Sequence, residues 1–179
     1  MKLLHFTLMC LVAWATSGCS SAIDAAKKIG QVIMDPSIQV GKDTDQPSTL
    51  RLTLLAEPNI NPNSANQPSP INLQVIYLTE DSMLQATYYD QLQETELKDI
   101  LGKNYLDHQD YTLVPAQYKP LPEITLDEKN QYLGLIAYYS NPEISEWKQV
   151  IKLNGTGGHR YHVLAQVKKQ HLIIKVEKE

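Results

Sequence analysis

Cysteine is almost missing from this chain of 179 residues: there are two, Cys10 and Cys19, and none follows. The body of the protein therefore has no disulfide staple and no thiolate for a metal. Phenylalanine occurs once, as Phe6. Charge forms no run of either sign: 16 basic against 20 acidic residues give a net −4, with the lysines and arginines scattered among acids. That excludes the clustered basic footprint of a nucleic-acid binder. No Gly-Lys-Ser/Thr ending and no nucleophile elbow appears anywhere. Without staples the fold must rest on a buried core, and the length suits one domain, with room for a small insertion.

What is present begins at the amino terminus. "MKLLHFTLMCLVAWATSGCSS" has a short basic n-region with Lys2, an apolar stretch from Phe6 to Ala15, and small residues before Cys19. It is too short and wrongly flanked for a spanning helix, and reads as a secretory signal over residues 1–18. Its Gly18-Cys19 ending resembles the lipobox of bacterial lipoproteins, with Thr16 where leucine is usual. The resemblance implies cleavage before Cys19, an S-diacylglycerol on its thiol and an acyl group on its new amino terminus. Ser20, rather than aspartate, follows the cysteine, which favours the outer membrane. Two or more acyl chains anchor stably where one holds marginally. Cys10 and Lys2 leave with the signal, so the mature chain has a charge of −5 (−4 less the +1 of Lys2) and one cysteine, consumed by lipid.

Residues 19–48 read as a tether. Ile23, Ala26, Ile29 and Ile33 recur at helical spacing, with Gly30 weakening the pattern; the stretch is a partly ordered spacer, or a helix that lies on the membrane surface or docks on the domain. "DPSIQVGKDTDQPS" is a turn-rich linker. A domain spans residues 49–179.

Its first segment, "TLRLTLLA", alternates Leu50, Leu52 and Leu54 with Thr49, Arg51 and Thr53, the period of a half-buried strand. "INLQVIYL" puts Ile71, Leu73, Val75 and Tyr77 on one face, and Ile76 and Leu78 imply cover on the other. At about residues 79–102 the period changes: Met83, Leu84, Tyr88, Leu92, Leu97, Ile100 and Leu101 predict one broken helix or a helical pair, capped by Thr79 or Asp81 and ended by Gly102. Strand signals then resume. "YTLVPAQYKPLPEITL" is broken by prolines that belong on edges; "QYLGLIAYY" is buried on both faces; "EWKQVIKL" alternates. "RYHVLAQV" and "HLIIKVE" form a hairpin with Tyr161, Val163, Ala165 and Val167 opposite Leu172, Ile174 and Val176. Seven or eight strands with short connections predict an all-β, two-sheet antiparallel sandwich with a small helical insertion.

Candidate chemistry is thin. "GTGGH" lacks the helix N-terminus of a phosphate cradle and reads as a flexible hairpin loop. His159 and His162, three apart, fall on opposite faces of a strand, which is poor for chelation. Asp107, His108 and Asp110 precede a strand and offer a carboxylate–histidine pair without a nucleophile. No catalytic residue, metal ligand or cofactor is expected. The tyrosine pairs Tyr88–Tyr89 and Tyr138–Tyr139 fit either an interface or ordinary strand packing, with one of each pair buried.

The feature that asks for explanation is "EPNINPNSANQPSP", residues 57–70, with four prolines, four asparagines and no charge after Glu57. Connections between neighbouring strands usually take about 2–6 residues. Prolines fix φ and asparagines favour turns, so the loop is stiff. A stiff, uncharged loop loses little entropy on docking and is cheap to desolvate. It is either a contact loop or a structural bend.

Taken together, the lipobox, "MDPSIQVGKDTDQPS", the leucine-alternating strand, "NINPNSANQPSPINLQVIYL" and "LGLIAYYSNPEISEWKQVI" resemble the TssJ family of type VI secretion lipoproteins. The most specific parts are Asn61-Pro62-Asn63 and Pro68-Ser69-Pro70 before a strand. Gln67 stands where arginine is frequent, and Ile76-Tyr77-Leu78 replaces a Tyr-Gln-Leu-like ending. The resemblance implies a transthyretin-like sandwich, an outer-membrane lipoprotein facing the periplasm, and no enzyme activity. It implies docking to the periplasmic C-terminal region of a TssM-type inner-membrane protein, in a complex with a TssL-type protein. It assigns the contact to the loop, here Asn59, Ile60, Asn61, Pro62, Asn63, Ser64, Ala65, Asn66 and Gln67. The rival expectation is a periplasmic carrier or sensor with a small ligand between sheet and helices, which needs an apolar cavity with a few convergent polar groups.

Overall fold

The computed structural model describes residues 46–179; the signal, Cys19, the stretch with Ile23 and Ile33, and the linker as far as Asp45 lie outside the described residues. Within the described residues nine strands form two sheets. The first contains β1 (Thr49–Ala56), β4 (Tyr118–Pro120), β5 (Ile124–Thr125), β8 (Arg160–Val167) and β9 (Leu172–Lys178). Its order is β4-β1-β8-β9, with β5 also on β1. The second runs β3-β2-β6-β7, from β2 (Ile71–Leu78), β3 (Tyr105–Leu113), β6 (Tyr132–Ala137) and β7 (Lys148–Lys152).

The leucine alternation of β1 does what its period predicts: Leu50, Leu52 and Leu54 are buried and Arg51 is exposed. Opposite them Ile71, Leu73, Val75 and Leu135 complete the core between the sheets. The β8–β9 hairpin has the expected register, with Val167 facing Leu172 and Ala165 facing Ile174. One pairing departs from the antiparallel expectation: β1 lies parallel to β8, Leu50 beside Tyr161 and Leu54 beside Ala165. Short connections dictate the direction of sequence neighbours only, and these two strands are far apart in the chain. Asp107, His108 and Asp110 do not precede β3 but lie within it.

The helical insertion is three short pieces, α1 (Ser82–Ala86), α2 (Gln91–Glu94) and α3 (Leu97–Leu101), followed by a 3-10 turn. Leu84, Leu97 and Leu101 cover Ile76, Leu78 and Ile136 on the outer face of the second sheet. That is why β2 and β6 carry apolar residues on both sides. Met83 and Tyr88, expected on the packed face, point outward, because the chain turns between the pieces rather than continuing one helix. Asp81 occupies the first cap position without a side-chain cap bond, and Gly102 ends α3 at φ +51°. Gly134 of β6 gives α1 its close approach: a Cβ there would fall 2.5 Å from Leu84 Cδ2.

A candidate docking loop opposite the point of chain entry

The two ends of the sandwich are built differently. At one, the chain enters. Ser48 is fully buried; its N–H donates to Gly155 O (2.8 Å) and its hydroxyl to Thr156 O (3.0 Å). Gly157 N and Gly158 N donate to Gln46 O, at 2.8 and 3.0 Å. The "GTGGH" loop is thus a clasp on the incoming backbone. A Cβ on Gly155 would sit 1.9 Å from the carbonyl oxygen of Asp127, which is why only glycine fits. His159 packs edge-on against Tyr161, at 5.9 Å between ring centroids.

From there β1 crosses the molecule, about 26 Å for its eight residues. It delivers the chain to residues 57–70 at the far end. The loop divides into an anchored base and a presented tip. Ile60 is wholly buried in the core between the sheets. Asn61, 5% exposed at φ +43°, spends both ends of its amide inside the protein. Its Nδ2 donates to Pro70 O (2.7 Å) and its Oδ1 accepts from Ser140 N (2.7 Å). The Ser69 hydroxyl donates to the carbonyl of Asn61. Asparagine is suited here because it tolerates left-handed backbone and carries both a donor and an acceptor.

Further support comes from Glu57. Its carboxylate accepts from Gln166 Nε2 (2.9 Å) and lies 3.4 Å from Lys168 Nζ. Ala116 N donates to its carbonyl at 3.2 Å. Buried Tyr139 donates its hydroxyl to Lys168 O (3.0 Å), tying the second sheet to the β8–β9 turn; burial pushes its pKa up.

The tip, residues 63–67, is exposed. Asn63 organises it: Oδ1 accepts from Ala65 N (2.9 Å) and Gln67 N (3.0 Å), while its N–H donates to Gln67 O (2.9 Å). Asn66 takes the second positive φ, +58°. Of the sequence-derived contact residues, then, Asn59, Asn63, Ser64, Ala65, Asn66 and Gln67 are exposed and Pro62 half-exposed, whereas Ile60 and Asn61 hold the loop from inside. Ser69, within the Pro68-Ser69-Pro70 motif, belongs to the same framework, as do Ser140 and Lys168, for which the sequence carried no signal because each acts across a long separation.

Away from the loop, Tyr138 donates to Gln74 Oε1 (2.7 Å), and Tyr89 packs edge-on against Trp147 at 5.3 Å. In each pair the second-sheet or sheet-facing tyrosine is more buried: Tyr139 over Tyr138, Tyr89 over Tyr88. Lys148 donates to the carbonyls of Leu84 (3.1 Å), Gln85 (2.6 Å) and Thr87 (2.7 Å), clamping the end of α1 onto β7; burial lowers its pKa. Between helices and sheet lies an open hollow of about 250 Å³, bordered by Gln74, Gln93, Glu94, Glu96 and His108. It is polar and open, unlike the apolar cavity that a carrier requires. Among the described residues no three His, Cys, Asp or Glu side chains converge as a metal site.

Comparison with known proteins places this geometry. The family model described as "Type VI secretion lipoprotein, VasD, EvfM, TssJ, VC_A0113" matches residues 48–179. The fold superposes on the crystal structure of the T6SS lipoprotein TssJ1 from Pseudomonas aeruginosa with a TM-score of 0.67 at 27% identity, covering 73% of this chain and 97% of that one. Lip of Serratia marcescens, a membrane-bound component of the type VI secretion system, gives 0.61 at 26% identity, with 72% and 96% covered. A chain of a type VI membrane complex shares the fold at TM-score 0.60 and 20% identity, with 73% and 99% covered. No curated protein sequence matches the chain. The chain belongs to the TssJ family of type VI secretion lipoproteins.

Proposed function

We propose that this lipoprotein ties a type VI secretion membrane complex to the outer membrane and docks the periplasmic C-terminal region of a TssM-type inner-membrane protein through the tip of its 57–70 loop. Residues 1–18 are the signal, residues 19–48 the tether, and residues 49–179 the docking domain with its helical insertion. Cys19 carries the S-diacylglycerol and N-acyl chains that enter outer-membrane lipid from the periplasmic face, and the TssM-type protein acts within a complex that includes a TssL-type protein. No substrate is turned over; the work is mechanical linkage.

The observation that carries this reading is the separation of chain entry from loop. The tether joins the domain at the clasp of residues 155–159, and the loop leaves the opposite end of β1. An anchor pulling at one end leaves the other free to engage a partner. The loop suits that role because its geometry is set before binding: base residues are buried, and the tip is closed by Asn63, so docking orders little.

The test is Ala65→Arg in the acylated protein. Ala65 is exposed, so folding should be unaffected and the melting temperature unchanged. A bulky charge at a docked tip should weaken capture of the purified TssM-type periplasmic region by about tenfold or more. Unchanged capture would remove the tip from the mechanism.

A further inference from the structure

A second surface, independent of the loop, runs along the side of the sandwich. Among the described residues, strand β3 is the outermost of the second sheet and pairs with β2 alone. The backbone directions of β2 show which groups of β3 are committed. On the β6 side, Tyr138 N donates to Asn72 O and Gln131 N to Leu78 O, both at 2.9 Å; on the β3 side, Thr79 N donates to Asn104 O at 2.9 Å. Odd-numbered residues of β2 therefore face β3. Through the register Leu73–Tyr111, Val75–Gln109 and Tyr77–Asp107, the ladder consumes the odd residues of β3. His108, Asp110 and Thr112 turn their N–H and C=O groups to the free side, with no backbone partner among the described residues.

Hollows flank this edge on both faces. Between the sheets a crevice of about 260 Å³ opens beside it, lined by Leu50, Leu52, Tyr77, Tyr111, Leu121 and Ile124. On the outer face a shallow cleft of about 440 Å³ is lined by Asn72, Gln74, Asp110, Thr112 and Tyr138. A strand laid against β3 would send alternate side chains into the two. The first asks for apolar residues. The second asks for polar or cationic ones, because Asp110 is exposed along it, with only the His108 ring, 3.7 Å away, beside its carboxylate.

A second copy of this chain is a poor occupant. Antiparallel pairing centred on Asp110 would set two aspartates opposite each other, and the chain is already acidic at −4. A register shift between Tyr77 and Leu78 further irregularises the strand's first end, leaving the stretch after it as the usable edge.

We propose that the free edge of β3 receives, by strand addition, an extended segment of another protein with apolar residues at alternate positions and lysine or arginine between them. The edge and the loop tip are separate surfaces, so loss of one leaves the other testable.

The experiment uses the acylated full-length protein in detergent and three synthetic nonapeptides: alternating Lys-Val, alternating Glu-Val, and a block-shuffled Lys/Val peptide of the same composition. Amide exchange across β3 and peptide affinity are read together. The alternating Lys-Val peptide should slow exchange at His108, Asp110 and Thr112 by about tenfold or more, and the other two should not. Asp110→Pro removes an outward N–H without touching the β2 ladder and should weaken binding about tenfold; Asp110→Asn keeps the N–H and should lose less. Unchanged exchange at saturating peptide, equal protection by the shuffled peptide, or undiminished binding by Asp110→Pro would each overturn the proposal. Should that variant fail to fold, Thr112→Pro makes the same test, and the exchange measurement on the native protein decides regardless.

Discussion

Asn61 shows most plainly how one residue can carry a loop. A buried amide that donates to Pro70 O and accepts from Ser140 N replaces water on both sides, and its backbone adopts a φ that most residues resist. Asn61→Ala strands both partners and adds backbone strain, so unfolding free energy should fall by about 2–4 kcal/mol in a denaturant titration. The tyrosines give a second residue-scale expectation. Burial raises Tyr77 and Tyr138 from 10.0 to about 12, with neighbouring Tyr111 and Asp107 adding to the first, and Tyr89 and Asp110 to the second. A raised pKa means that the folded state holds the phenolic proton more tightly than the unfolded chain. The resulting stability is fully present below pH 10 and drains away as pH climbs to about 12. Tyrosinate absorbance should therefore lag in the native protein relative to the denatured one, and the melting temperature should fall across the same window.

At the scale of elements, the helical insertion is held by a few apolar side chains and one cation. None of α1, α2 or α3 is long enough to be stable alone, so the insertion exists because Leu84, Leu97 and Leu101 cover the outer face of the second sheet. Lys148 adds three hydrogen bonds to carbonyls at the end of α1 and lies 4.9 Å from the ring centre of Trp147. Lys148→Met keeps the stem and removes the donors. Stability should drop by about 2 kcal/mol, with exchange accelerated across residues 82–101 and little changed in β1 and β8. Uniform acceleration through both sheets would mean that Lys148 supports the whole fold rather than the insertion.

For the molecule as a whole, the proposal predicts a double dissociation. Cys19→Ser should release the protein into the soluble periplasm while leaving capture of the TssM-type region intact in solution; Ala65→Arg should do the reverse. Fractionation and pull-down on the same two variants check it. On the same proposal, the chain from Cys19 to Gln46 can span at most about 97 Å when fully extended, which bounds how far the domain can stand from the membrane surface.

Much of this was legible in the sequence, for reasons that differ by element. The β1 alternation, the β8–β9 register and the apolar doubling of β2 follow from local periods, and periods survive folding. The 57–70 loop announced itself through proline and asparagine. Its division into base and tip did not, because Asn61 and Asn63 are chemically the same residue two positions apart. One is buried and the other exposed, and only the arrival of Ser140 and Pro70 decides which. The glycine-rich 155–159 segment was legible as a loop but not as a clasp, since its partner is the backbone of residues 46–48, more than a hundred positions away. Sequence by itself determined the two-sheet character, the helical insertion and the family likeness, because these rest on side-chain periodicity and local backbone preference. The tertiary structure alone decided that β1 runs parallel to β8, that chain entry and loop occupy opposite ends, and that β3 has a free edge among the described residues. Those depend on which distant strands meet, and strand pairing is settled by burying both sheets' apolar faces at once rather than by any single segment's pattern.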